Sequence, residues 1–212
     1  MTDSVQDLIT RLGNPGLRPA AVKELRLLGP GAVDGLVAAL SGEVPAIIQK
    51  EILRILLPAG DIRAAEAFRR AVASPDEDVR SLGAVGLNHL GAPDAVAACC
   101  ATIDDSPDPL HADMTPSIQA LADRGMPVLP HIIPLLEAQD PRTRQHAQKV
   151  LELVSFQEVL NATTPPVRTE KARAEWARLW ASNESYRWDG TEDQRRSALA
   201  CWRSWLEKKS CL

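Results

Sequence analysis

Aromatic side chains are scarce, at 4% of 212 residues, and all five tryptophans lie beyond residue 175. The last quarter of the chain therefore packs differently from the rest. Cysteine is scarce too: Cys99, Cys100, Cys201 and Cys211 show no CxxC and no zinc spacing, and adjacent Cys99 and Cys100 are poorly placed to bond each other. Reduced thiols are expected. No apolar run approaches the roughly 18 residues that span a bilayer, and residues 1–12 have neither a basic leader region nor a continuous apolar stretch. These absences point to a soluble, cytoplasmic protein without a membrane partner.

A surplus of positive charge is also missing. Residues 1–155 hold 14 Lys/Arg against 20 Asp/Glu, and residues 156–212 hold 10 against 8, for a net charge of −4. Neither part is a polycation, which disfavours wholesale capture of nucleic acid or anionic membrane. There is no glycine-rich phosphate loop, no GxSxG and no cysteine in a recognisable catalytic setting. The four histidines, His89, His111, His131 and His146, are too scattered for an obvious metal set; the nearest pattern is His111 and Asp113 beside Asp104, Asp105 and Asp108. No catalytic residue, metal or cofactor is assigned.

What is present is a fivefold recurrence. Counting from Arg18, Gln49, Arg80, Met114 and Arg144, the residue seven places on is Leu25, Leu56, Leu87, Leu121 and Leu151. Eleven places on stand Gly29, Gly60, Gly91, Gly125 and Ser155. A period near 30 residues marks repeat architecture. Each repeat reads as two helices. The second begins near the anchor and puts positions plus three, six, seven and ten on its core face. The first occupies residues 31–40, 61–73, 93–103 and 127–138. The repeated glycine suits a left-handed helix cap, and Pro15, Pro45, Pro75, Pro107 and Pro141 mark the turn inside each pair. Small residues at plus three (Ala21, Gly83, Ser117, Ala147) let helices approach closely, whereas Ile52 breaks that rule and predicts looser or shifted packing. Five antiparallel hairpins stacked side by side give a right-handed α-solenoid.

Three segments resemble the HEAT-repeat family, in particular its short bacterial form first recognised in phycobilisome lyases: Leu28-Gly-Pro-Gly-Ala-Val-Asp-Gly-Leu-Val-Ala-Ala-Leu40, Asp76-Glu-Asp-Val-Arg80 and Asp140-Pro-Arg-Thr-Arg-Gln-His-Ala147. The resemblance covers residues 4–155. It implies a fold and is nearly silent on activity. It also implies that Arg18, Arg80 and Arg144 are the family's recurrent arginine, pairing with carbonyls or with an acid of the neighbouring repeat. Substituting Arg80 is then expected to loosen stacking and leave binding alone.

Beyond Ser155 the register stops. Residues 156–164 allow one more short helix, Thr164-Pro165-Pro166 is a breaker, and residues 168–183 read helical. Thr191 to Gln194 carries a capping-box signature for a last helix with Leu199, Trp202, Trp205 and Leu206. The expected organisation is all-α: a HEAT-like solenoid over residues 1–155 and a tryptophan-rich helical cap over 156–212 that closes the open end of the stack.

Positions plus one, five and eight of each second helix are the exposed ones, and in HEAT-like stacks these helices line the concave surface. Lys23, Arg26, Lys50 and Arg54 then form a basic patch, with Val85 and Asn88 extending the groove; Gln119, Lys149 and Glu152 hold the same places further on, with Gln148 next to them. Four cations on two adjacent helices suit an acidic peptide, a phosphate or a nucleic-acid backbone. The plainer explanation is an ordinary solvated face, since lysine and arginine are good helix formers and mostly exposed. Along the turns run Glu43, Asp76, Glu77, Asp78, Asp104, Asp105, Asp108 and Asp140, which helix capping mostly explains.

The leading expectation is a non-catalytic scaffold or adaptor that holds another protein, or an acidic peptide segment of it, on the concave face. Two alternatives stand beside it. One is an auxiliary protein like the bilin lyases. The other is a HEAT-like nucleic-acid binder of the DNA glycosylase type, with Trp176, Trp180, Trp188 and Asp189 cradling a base. Packing of Trp176 and Trp180 against Trp202 and Trp205 as the core of the cap is the competing explanation of those rings.

Overall fold

The computed structural model describes residues 4–163 and 168–210, and these are all-helical, with no strand. The chain divides into two compact units, one up to Ser106 and one from Pro107 onward. No helix among the described residues is long and apolar enough to cross a membrane. The Thr164-Pro165-Pro166 breaker, the first three residues and Cys211 lie outside the described residues.

The first unit holds α1 (Val5–Leu12), α2 (Arg18–Leu28), α3 (Pro30–Ala39), α4 (Ala46–Ala59), α5 (Ala65–Val72), α6 (Glu77–His89) and α7 (Ala95–Ala101). Helix α1 opens on a capping box in which the Ser4 hydroxyl accepts from the Asp7 amide and the Asp7 carboxylate accepts from the Ser4 amide. It packs on α2, α3 and α4, while α6 packs on α4, α5 and α7. The second unit holds α8 (Pro116–Arg124), α9 (Leu129–Ile132), α10 (Pro141–Ala162), α11 (Arg168–Ser182) and α12 (Glu192–Ser210). There α8, α9 and α11 all pack on α10.

The repeat positions carry the same local structure. Gly29, Gly60, Gly91 and Gly125 have φ of +52°, +60°, +66° and +71°, a region that side chains with a Cβ rarely adopt, and each directly follows the end of its helix or the residue after it. At the fifth repeat Ser155 replaces glycine and the helix does not stop: α10 runs on to Ala162. Residues 156–162 therefore continue α10 and are not a separate helix. Positions plus three and plus seven are buried in all five repeats, Ile52 included, so the packing accommodates its bulk. Plus ten differs from expectation. Leu28 and Ala59 are exposed because the helix ends there, and only Val154, inside the longer α10, is buried.

Helix α3 matches its expected span within one residue, whereas α5, α7 and α9 are shorter than theirs. Residues 62–64 form a 3-10 turn before α5, and residues 126–137 divide into a 3-10 turn, α9 and a second 3-10 stretch, Ile133–Glu137. Pro127, Pro130 and Pro134 account for the latter, since none has an N–H to return to an earlier carbonyl.

The anchor residue has a repeated job. Arg18 Nε donates to the Leu12 carbonyl at 2.8 Å, Arg80 Nη1 to those of Ser74 and Pro75 at 3.1 and 3.0 Å, and Arg144 Nη1 to those of Ala138 and Gln139, both at 2.8 Å. Gln49 does the same with its amide, donating to the Val44 carbonyl at 2.7 Å. In each case the acceptor lies five or six residues back, where the preceding segment leaves carbonyls without helical partners. Arg80 and Arg144 also reach forward, to the Asp105 carboxylate at 2.7 and 2.8 Å and to the Trp188 carbonyl at 3.0 Å. The structural role expected of these arginines is what their contacts display.

In the second unit the aromatic rings form a continuous chain. Centroids are 6.0 Å apart for Phe156 and Trp176, 5.3 Å for Trp176 and Trp180, 5.0 Å for Trp180 and Trp202, and 5.3 Å for Trp202 and Trp205. Edge-on and tilted geometry at these distances is the favoured one. The Trp176 indole donates to Ser155 Oγ at 2.9 Å, and the buried Tyr186 hydroxyl donates to the Leu136 carbonyl at 2.7 Å. Helix α12 opens as its sequence predicts, with Thr191 Oγ1 accepting from the Gln194 amide and Gln194 Oε1 accepting from the Thr191 amide.

Cys99, Cys100 and Cys201 are free thiols. Burial pushes the Cys100 thiol up to about 11, so at neutral pH it is a poor nucleophile. Its reaction with an aromatic disulfide reagent at about pH 8 should be at least tenfold slower in native than in guanidinium-unfolded protein. Equal rates would contradict the burial.

Candidate functional site

The six residues of the expected binding surface all lie in the first unit, on three packed second helices: Lys23 and Arg26 on α2, Lys50 and Arg54 on α4, Val85 and Asn88 on α6. Their surroundings separate them into distinct groups.

Lys50 and Arg54 are tied down. Lys50 Nζ lies 3.0 Å from Asp78 and 3.5 Å from Asp76, at the start of α6, and its side chain is 18% exposed. Asp78 in turn accepts from the Ser106 hydroxyl at 2.7 Å. The hydrogen bond from Lys50 to Asp78 raises the lysine's pKa, while the Ser106 hydroxyl and then Lys50 hold the Asp78 carboxyl below its ordinary value. Arg54 pairs with Glu51 at 3.0 Å on its own helix. Lys50 thus fastens α4 to α6, and Arg54 stands close enough to add to the field on Asp78. Val85 and Asn88 are half-buried on α6.

Lys23 and Arg26 are exposed and have no hydrogen-bond or ion-pair partner among the described residues. Arg18, Lys50, Arg54, Arg63, Arg69, Arg70 and Arg80 each have one, and Arg11 is engaged as well. Spaced three residues apart, Lys23 and Arg26 share one side of α2 with Leu27, which is 77% exposed. Glu24, also exposed, falls on the other flank by the same helical spacing.

Arg26 stands at the edge of a cleft of about 320 Å³ between the ends of α2 and α4. Its floor is Leu25, Val33, Ile55 and Leu56, with Pro58 and Asp61 also lining it. Asp61 is neutralised by Arg63, whose Nη2 lies 2.6 Å away; that side-chain hydrogen bond holds the Asp61 carboxyl low. The cleft therefore offers apolar depth with an unpaired cation beside it. Sequence reasoning assigned Leu25, Ile55 and Leu56 to the core and missed the cleft they also line. Pro58, inside α4 and without an N–H for the Arg54 carbonyl, is the one signal in the sequence that this end of the helix is unusual.

The acidic turn residues are mostly occupied. Asp76 caps α6 through the Val79 amide at 3.1 Å, Asp140 caps α10 through the Arg142 amide at 2.9 Å, and Asp105 holds Arg80. Asp108 accepts from the Leu110 amide at 2.7 Å, and Asp113 binds Lys149 at 2.6 Å. Among the described residues no three His, Cys, Asp or Glu side chains are grouped to hold a metal ion. Trp176 and Trp180 belong to the aromatic chain, Trp188 is bonded through its backbone to Gln148 and Arg144, and Asp189 pairs with Arg187 at 3.0 Å.

No protein-family model matches this chain, and no curated protein matches it.

Proposed function

We propose that this protein is a non-catalytic interaction scaffold of the cytoplasm, a right-handed solenoid of about five HEAT-like hairpins closed by a tryptophan-rich helical cap, which holds an acidic segment of a partner protein. The glycine caps of positive φ and the backward-reaching anchor side chains, recurring at one phase of the repeat, support the hairpin reading. The observation that carries the binding reading is the contrast among the cations of the first unit. Among its described residues Lys23 and Arg26 alone are left unpaired, and Arg26 borders an apolar cleft. A partner segment with an aliphatic or aromatic anchor and flanking carboxylates satisfies both features. Anchors seated in pockets carry most of an interface's energy, and rim charges mainly set association rate and salt response.

The test is a fluorescence-anisotropy titration with a labelled peptide that carries one leucine flanked by glutamates. Lys23→Glu combined with Arg26→Glu should weaken it roughly tenfold or more and flatten its salt dependence. The same affinity for wild type and variant, or for the peptide with its glutamates replaced by glutamine, would contradict the proposal.

A further inference from the structure

The second unit contains a larger cavity, of about 500 Å³, beside the first turns of α12. Three arginines, Arg144, Arg195 and Arg196, and two glutamates, Glu137 and Glu192, line it. The glutamates are already paired. Glu192 binds Arg196 at 2.5 Å, and Glu137 binds Arg203 at 2.6 Å. Arg144 and Arg195 are left without a carboxylate partner among the described residues.

Both use only neutral acceptors. Arg144 donates to the carbonyls of Ala138, Gln139 and Trp188, and Arg195 Nη1 donates to that of Gly190. These bonds engage Nε and Nη1 of Arg144 and leave its Nη2 unused. The buried side-chain polar atom without a partner among the described residues is Trp202 Nε1, so Arg144 Nη2 is open to solvent although its residue is only 8% exposed. Both arginines lie near the Tyr186 hydroxyl: burial pushes it up to about 12, the fields of Arg195 and Arg144 oppose that rise, and the field of Glu137 adds to it.

A guanidinium withdrawn from water and given only carbonyl dipoles keeps an uncompensated charge. Arg144 is such a group and Arg195, half-buried, lines the same cavity; together they match a dianion, and their planar forks suit tetrahedral oxyanions. A monocarboxylate would leave one charge unbalanced. The volume exceeds that of the ion itself and leaves room for a small organic body. We infer that this cavity is a binding site for a phosphate dianion, as inorganic phosphate or as the terminal group of a small phosphate monoester, held by Arg195 and by the free edge of Arg144.

The experiment is a calorimetric titration of the whole protein with inorganic phosphate at constant ionic strength, at about pH 8, where phosphate is mainly dianionic. Saturable binding is expected, weakened roughly tenfold or more by Arg195→Gln and absent in Arg195→Glu. Glycerol 2-phosphate, titrated in parallel, identifies the source: tighter binding than phosphate marks a monoester site and weaker binding a site for the free ion, and either supports the assignment. Absence of saturable binding to wild type, or undiminished binding to Arg195→Gln, would overturn it. Should the variants fail to fold, NMR of the arginine side chains in wild type still decides. Phosphate should shift two arginine Nε–H resonances selectively, and shifts spread over the surface arginines would reject the site.

Discussion

Replacing Gly83 with alanine should cost about 3 kcal/mol or more. A Cβ at that position would stand 2.7 Å from the Phe68 carbonyl oxygen, 2.8 Å from the Val72 nitrogen and 2.9 Å from the Ala71 Cβ. Two of these atoms are backbone of α5, so no side-chain rotation relieves the contact and the two helices must separate. Gly86→Ala meets the buried Phe68 ring at 2.2 Å and should behave alike. The gain in helix propensity, about 1 kcal/mol, is too small to offset the loss. Gly31 supplies the control. It lies in the first turn of α3, where an added methyl would meet nothing within 4 Å, so Gly31→Ala should be neutral or slightly stabilising. Urea denaturation of the three variants checks the set, and a stable Gly83→Ala protein would mean that α5 and α6 are not in close contact.

Arg144→Ala should cost about 3 kcal/mol in phosphate-free buffer, on the scale of lost charge-assisted hydrogen bonds to buried acceptors. With each kilocalorie worth about 2–4 °C for a chain of this length, the melting temperature should fall by about 10 °C. One guanidinium serves the Ala138 and Gln139 carbonyls behind it and the Trp188 carbonyl ahead of it. Its loss strands three acceptors and releases the loop before α12. Lysine keeps the charge without the planar fork, so Arg144→Lys should recover only part of the stability. Thermal melts followed by tryptophan fluorescence report directly on α11, α12 and the loop between them. An unchanged melting temperature in Arg144→Ala would show that the three carbonyls are satisfied without it.

Much of this fold was legible because its signals are local. Glycine at plus eleven means a positive φ and a helix end, and the one serine in that place is where the helix runs on. The capping box at Thr191 and Gln194 needs only four residues to be recognised. The Arg144 position was readable as structural, and its carbonyl acceptors lie five and six residues away. The fragmentation of residues 126–137 was also encoded, in Pro127, Pro130 and Pro134, yet apolar periodicity over the same stretch suggests one continuous helix and masks the prolines.

The surface was less legible because charge pairing is not local. Lys50 and Lys23 occupy comparable exposed positions in sequence. Lys50, however, meets Asp76 and Asp78, 26 and 28 residues on, whereas Lys23 meets no partner among the described residues. Only the packing of α4 on α6 separates a fastening from an unpaired charge. The two cavities are hidden for a related reason: Leu25, Ile55 and Leu56 carry an ordinary core pattern, and Arg195 reads as one more cation on a charged helix.

If the unpaired cations of α2 hold a partner, affinity capture from the native lysate followed by mass spectrometry should reveal it. Wild type is compared with a Lys23→Glu, Arg26→Glu variant shown to melt like wild type. Lys50 and Arg54 are left intact because Lys50 fastens α4 to α6 and Arg54 is paired with Glu51. Wild type is expected to retain a protein bearing an acidic, apolar-anchored segment that the variant releases. Identical capture by both proteins would contradict it.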